Sequence, residues 1–198
     1  MMGDIERYPA ELIDVMHLAR EGHTARVLVR PLLPQDRPLA SAFFAGLSSS
    51  ARRDRFMSPV REVATPLLER LTEVDHADHV ALVAEVFEED REVLIGEARY
   101  VRSADGRSAE FAVTIAEDWQ GLGLARTMLA RLACHAARAG VEVLRGETLA
   151  GNAVMLHLAR RCGFTLRADP DVRGIVQLEK VLTPARTPSG APCGAAAS

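Results

Sequence analysis

Gln120-Gly121-Leu122-Gly123-Leu124-Ala125-Arg126 is the stretch of this 198-residue chain whose residue types best suit the holding of an anion. It joins a strand-like run, residues 108–115, to a helix-like run, residues 124–139. Two glycines let the backbone approach a ligand with no Cβ in the way, and the first turn of a helix leaves N–H groups unpaired along a favourable dipole. A Walker loop needs Gly, four residues, then Gly-Lys-Ser/Thr, and no Lys follows here. A dinucleotide fingerprint places Gly or Ala where this chain has Arg126, whose length would hold helix and strand apart. On the motif alone, a glycine turn with no ligand remains the rival.

Other residues able to do chemistry lie on the flanking elements. Glu110 falls on the strand leading into the loop, on the face opposite Phe111, Val113 and Ile115 by the two-residue period. Asn152 stands where an N-cap is needed before residues 153–161. His157 and Cys162 read as packed helix residues. Asp75-His76-Ala77-Asp78-His79 has metal-ligand types, yet no supporting cluster appears elsewhere, so it reads as a solvated turn before a strand and no metal is expected. Trp119 reads as the packing residue that fixes the loop. Arg52, Arg53 and Arg55 are either an attraction for an acidic substrate or a solvated helix face.

These residues need a scaffold. With 48% hydrophobic and 26% charged residues, the chain suits one globular domain with short extensions at each end. A formal charge of −3 gives no electrostatic case for nucleic acid. Three cysteines without CxxC spacing, no apolar leader and no membrane-length apolar run are read as a reducing cytoplasm. Residues 9–20 are expected as a short helix within an extension, 1–24, and residues 25–31 as a first strand stopped by Pro31. Residues 35–47 and a segment opened by Thr65-Pro66 as cap and first position read as helices. Residues 79–87, 92–102 and 108–115 alternate as strands separated by reversal sequences, an antiparallel meander. After the helix from Leu124, closed by Gly140, come a strand over 141–149, a helix over 153–161 ended by Gly163, and strands at 164–166 and 175–179. Residues 183–198, rich in Pro, Ala, Gly and Ser, are expected to be a disordered tail. The pattern is α+β.

Gln120-x-x-Gly123-x-Ala125, preceded by Val113-Thr114-Ile115, resembles the acetyl-coenzyme A motif of the GNAT superfamily of N-acetyltransferases. Arg30-Pro31 with Asp36, Ile95-Gly96, Asn152 with Met155, and Cys162-Gly163-Phe164 stand where that superfamily has its landmarks. Tyr8-Pro9, the run from Ser48 to Arg55-Phe56, Ala109-Glu110-Phe111-Ala112-Val113 and Asp118-Trp119-Gln120 are similar to the acetyltransferase domain of bacterial Pat-type protein lysine acetyltransferases, over residues 7–182. In those enzymes the domain is fused to a larger region, and it also occurs alone.

The resemblance implies a GNAT fold over residues 25–182, with a mixed, mostly antiparallel sheet flanked by helices, and acetyl-coenzyme A (acetyl-CoA) as cosubstrate. It implies that Gly121, Leu122, Gly123, Leu124 and Ala125 donate backbone N–H groups to the pyrophosphate. Gln120 adds a side-chain contact, and Arg126 is either a further one or a solvated residue. Val113 and Ile115 would offer main-chain groups to the pantetheine arm, and Asn152 caps its helix with or without a contact to that arm. Glu110 matches the general base of Pat-type enzymes, and apolar neighbours would raise its pKa; its rival reading is an exposed strand glutamate. Ala159 occupies the position of the usual tyrosine acid. The acceptor expected is a protein lysine, the alternatives being a small amine, or no acceptor at all in a coenzyme A sensor. A monomer or a homodimer is expected.

Overall fold

Period-two alternation builds the centre of the fold. β3 (His79–Glu88), β4 (Arg91–Arg102) and β5 (Ser108–Ile115) form the meander read from the sequence. Glu89 and Asp90 both take positive φ, 48° and 61°, so a two-residue reversal links Glu88 to Arg91 with the twist a tight hairpin needs. The computed structural model describes residues 8–20, 22–59 and 61–183. Within them β1 (Asp14–Arg20), β2 (His23–Pro31), β6 (Val143–Leu149), β7 (Thr165–Ala168) and β8 (Ile175–Val181) complete one sheet in the order β1-β2-β3-β4-β5-β6-β8-β7. Every pairing is antiparallel except β5 with β6. The chain thus has the α+β architecture, with a mixed, mostly antiparallel sheet, that the resemblance implies.

The N-terminal segment differs from its sequence reading. Residues 9–20 do not form a helix: a single 3₁₀ turn, Ala10–Leu12, leads into β1, which pairs with β2 from Asp14↔Val29 to Arg20↔His23. The free edge of β2 supplies hydrogen-bond partners that a short isolated helix lacks, and buries Leu18 as well. Part of the anticipated extension is therefore a sheet strand. The anticipated tail lies, beyond residue 183, outside the described residues.

α1 (Arg37–Gly46), α2 (Ser49–Phe56) and α3 (Thr65–Thr72) lie on one face of the sheet. Phe43, Phe44, Leu68 and Leu71 from α1 and α3 pack there on Ala81, Val83 and Leu94. Thr65 was read as a cap, but it already lies inside α3, whose N-cap is Ala64 with no side-chain hydrogen bond. α4 (Leu124–Arg138) and α5 (Ala153–Arg161) cover the other face, where Leu124, Met128, Leu129, Leu132 and Ala136 meet Ala98, Tyr100, Phe111 and Ile115. Arg30 ties the two ends of this frame. Its guanidinium reaches Asp36 at 2.6 Å and Glu85 at 2.7 Å, pinning the end of β2 to the entry of α1 and to β3.

The opening in the sheet follows from its one parallel pairing. β5 and β6 share register only at Ser108↔Val143, Ala109↔Leu144 and Glu110↔Arg145, while their outer edges stay paired along their length. Beyond Glu110 the two strands part.

Candidate active site

A cleft of about 690 Å³ fills the gap where β5 and β6 diverge. Its wall on the α4 side is built by the glycine loop. Gly121 and Gly123 take φ of 76° and 87°, a left-handed conformation that explains glycine at both places. A Cβ on either would meet no protein atom within 4 Å, so the backbone there faces open space. Gly123 is the N-cap of α4 and has no side chain to cap it, which leaves the first-turn N–H groups available to an anion. Gly121, Gly123, Leu124, Ala125 and Arg126 all line the cleft, as do Val113 and Ile115 from β5. Leu122 does not. It packs on the core instead.

Two side chains hold this loop in place. The Gln120 amide donates to the Ile115 carbonyl at 3.0 Å, fastening the loop to the end of β5. Trp119 is 5% exposed, and the Arg20 guanidinium lies 4.7 Å from its ring centroid, so the indole packs as the sequence suggests. Across the cleft, α5 starts at Asn152, whose Oδ1 accepts from the Met155 N–H at 3.0 Å. Val154, His157, Leu158 and Arg161 follow on one helical stripe and face the same opening.

The opposite wall belongs to α2. Ser48 caps this helix, its Oγ accepting from Ala51 N–H at 3.1 Å, and Ser50, Ala51, Asp54 and Arg55 line the cleft. Arg55 reaches Glu97 at 3.4 Å beneath the helix, and Arg99 also pairs with Glu97. Burial would lift the Glu97 carboxyl, but the Arg99 and Arg55 guanidiniums overcome it and hold its pKa below the usual carboxylate range. Arg52 donates to the Ala45 carbonyl at 3.0 Å and to the Leu47 carbonyl. The basic cluster read from the sequence is therefore consumed internally, leaving Arg53 as its exposed member.

A family model of the acetyltransferase (GNAT) domain matches residues 26–165. The chain belongs to the GNAT acetyltransferase family. An acetyltransferase of Pseudomonas aeruginosa is 35% identical over 145 residues, covering 73% of this chain and 78% of that one. The acetyltransferase Pat of Mycolicibacterium smegmatis is 33% identical over 161 residues, 80% of this chain, and the chain spans 46% of that relative's length. The solved GNAT domain of S. lividans PAT superposes with a TM-score of 0.77 at 29% identity, over 88% of this chain and 99% of that chain. Acetyl-CoA is the acyl donor this family uses.

The GNAT framework gives the remaining candidates definite places. Glu110 sits at the last β5–β6 register pair, on the α2 side of the sheet, where the strands begin to part. It is exposed and does not line the cleft, and its register partners are Val101 on β4 and Arg145 on β6. Ala159, at the usual tyrosine position, is fully buried. Cys162 does not line the cleft, and burial raises its thiol pKa, against the pull of Lys180, keeping it protonated. In the Asp75–His79 segment, the Asp75 carboxylate accepts from the N–H groups of Ala77, Asp78 and His79, and His79 meets Arg99 at 2.8 Å. That segment is a turn anchored to the core. No helix among the described residues is long and apolar enough to cross a membrane.

Sequence reasoning did not single out Thr114, Glu147, Thr148 and Arg161, all of which line the cleft. Arg161 was within reach, since it continues the stripe from Val154. The others depend on where β5 and β6 separate, which no local pattern records.

Proposed function

We propose that the chain transfers the acetyl group of acetyl-CoA to a primary amine, with a protein lysine as acceptor and Glu110 as general base. The observation that carries this reading is the cleft itself, open between two parted strands and bordered on one side by an uncapped helix N-terminus. The backbone N–H groups of residues 121–125 hold the pyrophosphate, and Arg126 adds charge at the rim. Gln120 acts by fastening the loop. The pantetheine arm runs along Val113 and Ile115 toward the α2 side, with Asn152 beside it, and a main-chain N–H near Val113 receives the thioester oxygen as it gains charge.

The acceptor approaches from the α2 side. A lysine ammonium has a pKa of about 10.4, so its nitrogen must lose a proton before it attacks. Glu110 stands on that side at the point where the gap begins, and its exposure lets it act through an intervening water. Attack forms the N–C bond, and collapse of the tetrahedral intermediate breaks the C–S bond and expels the thiolate. A thiol of pKa about 8.5 is a good leaving group that solvent can protonate, so the buried Ala159 at the tyrosine position is tolerated. The place of Cys162 outside the cleft supports direct transfer over an acyl-enzyme on that thiol.

Glu110→Gln tests the base. It should leave the dissociation constant of coenzyme A unchanged and lower turnover at neutral pH by roughly 10²- to 10⁴-fold. Turnover equal to that of the unaltered chain across the pH range would remove Glu110 from this role.

A further inference from the structure

The α2 side of the cleft carries three carboxylates, and they are not equivalent. Glu117 accepts the Ser48 backbone N–H at 3.1 Å. Asp54 lies 3.9 Å from the Arg53 guanidinium. Glu147 has no hydrogen bond or ion pair among the described residues, although it lines the cleft. Its place in the sheet fixes its direction. Arg145 pairs in register with Glu110, and Glu147 follows two residues later, so Glu110, Arg145 and Glu147 share the α2 face. Arg145 is turned to Glu179 at 3.2 Å and does not neutralise Glu147.

The same wall contains a second group suited to a polar ligand. The Thr114 hydroxyl lies opposite Glu97 in register, hence on the α2 face; Thr114 is 8% exposed, and among the described residues the hydroxyl has no hydrogen-bond partner. A buried hydroxyl without a partner costs free energy unless a bound group satisfies it. Its neighbours offer no spare cation: Arg55 and Arg99 are paired with Glu97, and Arg52 is spent on helix-end carbonyls. Among the described residues the wall therefore presents an unpaired carboxylate and an unpaired hydroxyl, beside an Arg55 guanidinium whose charge is met by Glu97 although its Nε has no partner.

We propose that Glu147 is the residue that binds the acceptor's ammonium group before proton loss, selecting amines that are cationic at neutral pH. It is a positioning and selectivity residue: Glu147 holds the ammonium on the α2 side of the gap, Thr114 accepts one of its N–H bonds, and Glu110 takes the proton. The proposal rests on the amine acetyltransferase reading above and names the acceptor class for that same site, an alkylammonium such as a lysine side chain.

Glu147→Gln and Glu147→Asp in the full chain test it. Acetyl transfer is followed with a lysine-containing peptide and with an arylamine uncharged at neutral pH, and binding of n-pentylammonium to the coenzyme A-loaded protein is followed by NMR titration. In Glu147→Gln the KM for the peptide and the Kd for n-pentylammonium should each rise about ten- to a hundredfold, the loss of one charged hydrogen bond. The kcat for the peptide and the KM values for acetyl-CoA and the arylamine should stay within about twofold. Glu147→Asp should recover most of the ammonium affinity. Unchanged peptide KM and n-pentylammonium Kd in Glu147→Gln would overturn the proposal, as would an equal loss for the arylamine, which a structural role would produce. Should the unaltered chain release no thiol with any amine, the transfer reading fails, and the n-pentylammonium titration still decides the role of Glu147.

Discussion

Gly123 serves folding directly and, in the proposed reading, binding as well. Its φ of 87° suits glycine, and the space where a Cβ would stand is empty of protein atoms. Gly123→Ala should therefore cost about 1–2 kcal/mol of stability through backbone strain. The new methyl group would also stand in the phosphate cradle, so calorimetric affinity for coenzyme A should fall at least tenfold, and unchanged affinity would place the pyrophosphate elsewhere. The glycines were legible because their role is local: a turn that needs positive φ before a helix shows in residue type. Glu110 was half legible. Period-two alternation puts it on the face opposite Phe111, but its exposure is decided by what the fold brings to that face, which the strand itself does not record. Arg52 and Arg55 were not legible, because their partners, helix-end carbonyls and Glu97, are brought close only by the fold.

At the scale of elements, the meander, α4 and α5 could be read because each carries its own period and its own stop signals. α5 gives a direct check. Asn152→Ala removes the side chain that accepts the Met155 N–H and should lower stability by about 1 kcal/mol in thermal or urea unfolding. A second effect, weaker coenzyme A binding beyond what the stability loss explains, would show that Asn152 also touches the cofactor. β1 was misread because its conformation is decided by the open edge of β2, a contact invisible in residues 9–20 themselves. The divergence of β5 from β6 was equally hidden, since it depends on where two strands distant in sequence stop pairing. Glu147 and Thr114 became candidates only once that point was known.

At the scale of the whole molecule, buried charge links α2 to the sheet. Arg55 of α2, Glu97 and Arg99 of β4 and His79 of β3 form a continuous chain beneath the cleft. Burial and the nearby Arg99 hold the His79 pKa below its ordinary 6.5, and burial, joined by Arg138, does the same to His135 despite Glu11. An imidazole kept neutral in this way contributes stability that is complete above pH 6.5 and is lost as pH falls toward the folded value. Glu97, with its pKa lowered from 4.5 by its arginines, contributes stability complete above 4.5 and lost as pH falls through the folded value. Both signs agree. The thermal midpoint should be level above about pH 6.5, decline below it, and fall more steeply below about pH 4.5. A midpoint that rises on acidification would contradict this account of the network.

On the proposed reading, this GNAT chain moves an acetyl group from acetyl-CoA to an amine that enters from the α2 side. Release of free coenzyme A thiol, measured as lysine-bearing proteins and small alkylamines are added to the protein with acetyl-CoA, tests it most directly. Thiol release should depend on the amine, be matched by acetylated amine product and fall strongly in Glu110→Gln. Tight binding of coenzyme A, with thiol release no faster in the presence of any amine than in its absence, would contradict it.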